Sequence, residues 1–116
     1  MSASSQGTPC VPESNRPSIV CLIGSARFKH AFEIAARREA LSGKIVLQPV
    51  WAPGGVRTEE ERALLFTLHR AKIDLADEVL VINCGGYVGN DTLDEMTYAG
   101  SRGKEISFLE HGAMRT

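Results

Sequence analysis

A chain of 116 residues, 43% of them hydrophobic, has room for one domain with a buried core and no comfortable room for two. With 13 basic against 14 acidic residues it has no overall field to draw nucleic acid or an anionic membrane, so neither is expected as a partner and any anionic ligand must be captured locally. The three cysteines, Cys10, Cys21 and Cys84, are odd in number and scattered, which argues against a disulfide framework; no apolar run is long enough to span a bilayer and no cationic leader precedes one, so a cytoplasmic protein is expected.

In chain order, residues 1–17 carry Ser, Gly, Pro and Asn without apolar periodicity and read as a flexible tail ahead of a domain spanning 18–116. Residues 18–23 are continuously apolar and rich in β-branched side chains, as in a strand covered on both faces, and the run stops at Gly24-Ser25. From 26 to 41, Phe28, Ala31, Phe32, Ala35 and Leu41 recur at helical spacing while Arg37, Arg38 and Glu39 fall elsewhere, and Gly43 supplies a helix stop. A second strand reads 44–48. The Pro/Gly-rich loop 49–55 after it reads as a lid, in which Trp51 either stacks on a base or pins the loop to the core.

Thr58 and Glu61 have capping-box spacing at the start of a helix carrying Leu64, Leu65, Leu68, Ala71, Ile73 and Leu75. A third strand at 78–83 leads through the glycine-rich turn 84–89 into a helix from near Thr92 to about Ser101, and 106–109 makes a fourth strand. Strands alternating with helices predict an α/β fold, a small three-layer Rossmann/flavodoxin-like domain with a parallel sheet of about four strands. Ligands of such sheets bind beyond the carboxyl ends of the strands where strand order reverses. The chemistry is therefore expected at 24–28, at 83–95 and near Glu110-His111.

At Gly24-Ser25-Ala26-Arg27 a strand turns into a helix, where unpaired N–H groups and the helix dipole favour an anion, with Ser25 adding a hydroxyl and Arg27 a charge suited to phosphate. The competing reading is a tight turn at Gly24, a helix cap at Ser25 and a solvated Arg27. In the second segment Asn83, Gly85, Gly86, Asn90 and Thr92 let backbone and short polar groups approach a ligand, with Glu95 one turn into the helix. Thr92 and Glu95 equally have the spacing of a capping box. His30, His69 and His111 have no partners at metal spacing, so neither a metal nor a cofactor is expected.

Taken in this order, Ile23-Gly24-Ser25-Ala26-Arg27, the helix end Asp74-Leu75-Ala76-Asp77, the strand at 78–83 and Thr92-Leu93-Asp94-Glu95-Met96-Thr97-Tyr98-Ala99 resemble the nucleoside 2-deoxyribosyltransferase-like superfamily, which includes nucleoside-monophosphate N-glycosidases and small phage and bacterial relatives. The resemblance implies that Glu95 attacks the anomeric carbon to form a covalent glycosyl intermediate, and that Gly24, Ser25 and Arg27 hold the sugar's 5' end or its phosphate. Enzymes of the family carry a tyrosine on the first strand where this chain has Cys21, and a carboxylate before Ala76-Asp77 where it has His69 or Lys72; His69 is the candidate proton donor. The resemblance also implies a homodimer or higher assembly. The alternative is a non-catalytic module that binds or senses a nucleotide on the same fold.

Overall fold

The first strand, β1 (Ile19–Gly24), has four of its six residues fully enclosed, as its unbroken apolar run requires. In the computed structural model, which describes residues 16–50 and 58–110, β1 lies inside a four-stranded parallel sheet. Its neighbours are β2 (Ile45–Leu47) on one side and β3 (Glu78–Ile82) on the other, with β4 (Glu105–Phe108) outside β3. The chain moves from β1 to β2 in one direction and from β2 back across to β3 in the other. The order β2-β1-β3-β4 therefore reverses between β1 and β3. The tail residues 1–15, the loop 51–57 with Trp51, and 111–116 with His111 lie outside the described residues, as do the expectations attached to them.

Three helices cover the sheet: α1 (Lys29–Leu41), α2 (Glu59–Leu75) and α3 (Asn90–Ser101). Alternate residues of β1 face opposite ways, so Val20 and Leu22 pack with Phe32 and Ala35 of α1, whereas Cys21 and Ile23 pack with Ile73 of α2 and Ala99 of α3. This is the α/β architecture with helices on both faces that the alternation of elements predicts. One crossover hand puts α1 on one face and the returning α2 on the other.

Local details differ from expectation for physical reasons. The helix expected at 26–41 is two pieces, a 3-10 turn at Ala26–Phe28 capped by the Ser25 side chain, then α1. Leu41 is 75% exposed, because it stands nine residues beyond Phe32, about two and a half turns, and so on the opposite face. Glu39 takes the inner place instead and pairs with Lys44 and Arg38, each at 3.1 Å. The capping box of α2 forms as read: Thr58 Oγ1 accepts from the Glu61 amide and the Glu61 carboxylate accepts from the Thr58 amide, both at 3.1 Å. Yet Leu64, Leu68 and Leu75 of the apolar set read on this helix are exposed, and the buried side chains of α2 are His69 and Ile73.

Candidate functional site

Beyond the carboxyl ends of β1 and β3 an open cleft of about 1260 Å³ runs between the start of α1, the start of α3 and the inner side of α2. Gly24 ends β1 with φ +155°, and a Cβ there would sit 2.9 Å from the Ile82 carbonyl oxygen, so a side chain is excluded by the neighbouring strand itself. That closeness lets the chain turn at once into Ser25, whose hydroxyl accepts from the Arg27 amide at 3.3 Å. The helix-cap reading of Ser25 therefore holds, and the residue also lines the cleft.

Across the cleft, α3 starts earlier than expected. Its N-cap is Gly89 and its first residue is Asn90, which puts Thr92 inside the helix, buried, and removes the capping box proposed for Thr92 and Glu95. Free of that duty, the Glu95 side chain lies at the cleft, 16% exposed, with its Oε2 3.6 Å from Nε2 of His69. This separation is too long for a hydrogen bond. Neither ring nitrogen of His69 has a hydrogen-bond partner among the described residues, although both are buried.

Burial governs both ionisations. It pushes the Glu95 carboxyl up to about 7, helped by the negative charges of Asp91 and Asp94 and opposed by the Arg70 guanidinium. It pushes His69 down to about 4, with the Lys72 ammonium acting the same way. The two groups are each driven toward their neutral forms, so in the free protein they do not make an ion pair. At neutral pH His69 is an imidazole able to accept a proton, and Glu95 is poised between acid and carboxylate. Lys72, the other position where the resembled enzymes would carry a carboxylate, donates to the Gln48 carbonyl at 2.7 Å. Cys21 lies buried on the same face of the sheet, its thiol pushed up to about 12 by burial and by the charge of Glu95, so it is neither a phenol substitute nor a nucleophile.

Of the residues singled out from the sequence, Gly24, Ser25, His69, Asn90, Thr92 and Glu95 come together along the cleft. Arg27, Asn83, Gly85 and Gly86 are not among its lining residues. Arg27 stacks its guanidinium 4.4 Å over the Tyr87 ring. Asn83 is buried and clamps the chain after β4, donating to the Glu110 carbonyl at 2.9 Å and accepting from the Glu110 amide at 2.8 Å. The Gly85 amide donates to the Glu110 carboxylate at 3.0 Å and the Gly86 amide to the Asn83 carbonyl at 2.8 Å, so these amides hold the turn.

Among the lining residues that escaped the sequence reading, Tyr87 and Lys29 bear most on the chemistry. Tyr87 places a phenol on the cleft wall, braced by Arg27 and by the edge of Phe28, ring centroids 6.0 Å apart. Lys29 sits at the first position of α1 beside the Ser25 turn, in a first turn with no acidic residue. A lysine at a helix N-terminus opposes the dipole, and that misfit was the available sign of an anion-binding role. Among the described residues no group of three or more His, Cys, Asp or Glu is placed to hold a metal ion, and no helix is long and apolar enough to cross a membrane. No family model, curated protein or solved structure matches the chain.

Proposed function

We propose that the protein cleaves or transfers the N-glycosidic bond of a nucleoside or nucleoside 5'-monophosphate, with Glu95 as nucleophile. One observation carries this reading: a buried, proton-poised Glu95 lies beside a neutral His69 in a strand-end cleft whose other side offers Gly24, Ser25 and Lys29. The Ser25 turn and Lys29 receive the 5' oxygen or phosphate, which sets the anomeric carbon against Glu95.

The proton of the pair is conserved through the cycle once bound substrate draws the two side chains from 3.6 Å into hydrogen-bond range. His69 takes it from Glu95, leaving a carboxylate to attack the anomeric carbon as the bond to the base breaks, and the imidazolium then passes it to the departing base nitrogen. Water attacks the glycosyl ester, its proton returns to His69, and the ester C–O bond breaks to free Glu95; a second base in place of water gives transfer. The positive charge developing on the ribosyl ring compensates the burial of the carboxylate. Tyr87 supplies a phenol at the cleft where β1 has only Cys21.

Free base released from a panel of nucleosides and monophosphates is the direct test. Wild type is expected to release base with at least one of them, with a rate that falls above about pH 7 as the pair loses its proton. Glu95→Gln should lower that rate by at least about a thousandfold. Equal release by Glu95→Gln, or none by wild type, overturns the proposal. The depressed His69 also favours a second reading, nucleotide binding without turnover, because a neutral imidazole is no acid by itself. Ligand-dependent rises in melting temperature without base release would establish that reading in place of the first.

A further inference from the structure

Phe66 lines the cleft with its side chain 51% exposed, and the chemistry above makes no use of it. It stands three residues before His69 on α2, about 60° round the helix and about 4.5 Å along it, so the two side chains are neighbours on one wall. The ring is backed. The Arg70 guanidinium lies over two rings, 4.7 Å from the centroid of Phe66 and 4.4 Å from that of Tyr98. Arg70 Nε is buried and makes no hydrogen bond among the described residues, as suits a group held by ring faces rather than by acceptors. Tyr98 is fixed in turn, its hydroxyl donating to the Asp74 carboxylate oxygens at 2.8 and 2.9 Å while Arg102 Nε donates to Asp74 Oδ1 at 3.0 Å. A braced stack thus runs from α3 through Arg70 to a half-exposed ring in the cleft.

We propose that Phe66 is the platform on which the planar base of the ligand stacks, with Arg70 and Tyr98 as positioning residues behind it. For the class of ligand this rests on the nucleoside reading of the cleft. With the sugar's 5' end at Ser25 and Lys29 and the anomeric carbon at Glu95, the base extends past His69 along α2, where Phe66 is the neighbouring ring. Tyr87, also on the cleft, is tied to Arg27 and Phe28 beside the Ser25 turn, at the other end of the sugar.

The stack also selects its occupant. A guanidinium over Phe66 draws the ring's π density toward itself, so the surface left open disfavours a second cation and suits a neutral, electron-rich ring. Because the phenyl group is held before ligand arrives, stacking costs it little side-chain freedom.

Calorimetric titration of Glu95→Gln protein, in which turnover is slowed, reads the platform separately from the chemistry. The probes are the 5'-monophosphates of adenosine, guanosine, cytidine and uridine, with ribose 5-phosphate as the ligand that lacks a base. In that background Phe66→Leu is expected to weaken at least one monophosphate by about tenfold and Phe66→Trp to retain its affinity. Neither is expected to change the affinity for ribose 5-phosphate or the melting temperature without ligand, since the side chain is half exposed. Unchanged monophosphate affinity in Phe66→Leu overturns the proposal, as does an equal loss for ribose 5-phosphate or the absence of monophosphate binding before Phe66 is altered. A loss produced by Tyr87→Leu in place of Phe66→Leu puts the base at the other wall and overturns it too. Base-dependent binding that Phe66→Leu removes, in a wild type that releases no base, upholds the platform and overturns only the glycosidic reading.

Discussion

Two side chains, Glu95 and His69, carry opposite linkages between ionisation and folding. The folded Glu95 carboxyl is raised from 4.5 to about 7, so its contribution to stability is fully present below pH 4.5 and is lost as pH rises to about 7. His69 is depressed from 6.5 to about 4, so its contribution is present above pH 6.5 and is lost as pH falls to about 4. Each shift is worth on the order of 3 kcal/mol, and the slopes oppose one another between pH 4.5 and 6.5. Wild-type stability, measured by urea unfolding, is therefore expected to be nearly flat across that window. Removing one partner exposes the other: Glu95→Gln should gain stability as pH rises toward 6.5, and His69→Phe should lose it as pH rises toward 7. Parallel slopes in the two variants would contradict the environments described for the pair.

The elements place this pair, and their ends decide what each residue is available to do. Because α3 begins at Asn90 under the Gly89 cap, Thr92 and Glu95 are released from capping one another, and Glu95 turns inward. The glycine-rich turn before it is held by Asn83 and Glu110, which together tie the end of β3 to the segment after β4. Asn83→Ala leaves the Glu110 amide and carbonyl without these partners and should cost about 1–3 kcal/mol in unfolding free energy. It should affect stability well before it affects ligand affinity, because Asn83 does not line the cleft. An Asn83→Ala protein of wild-type stability with greatly weakened ligand binding would show that the side chain meets ligand after all. At the other wall, the 2.9 Å approach of a Gly24 Cβ to the Ile82 carbonyl explains why the turn into Ser25 tolerates no side chain without moving a strand.

For the whole molecule, the sheet is enclosed on both faces while α2 leaves Leu64, Leu68 and Leu75 exposed on its outer side. The architecture itself was legible in the chain: unbroken apolar runs at 19–23 and 79–82, the capping box at Thr58 and Glu61, and alternating strand and helix signals determine an α/β domain. Those signals are local, and each element's period acts within a few residues. What tertiary structure alone decided is which side of each element faces inward and which group lies beside which. Periodicity marks an apolar face on α2 but does not say whether the sheet or another surface takes it, and here the sheet takes His69 and Ile73 and leaves the leucines outside. Likewise, spacing left Glu95 open between a cap and the cleft. The packing of α2 against α3 brings His69, 26 positions away in sequence, to within 3.6 Å of it at the cleft.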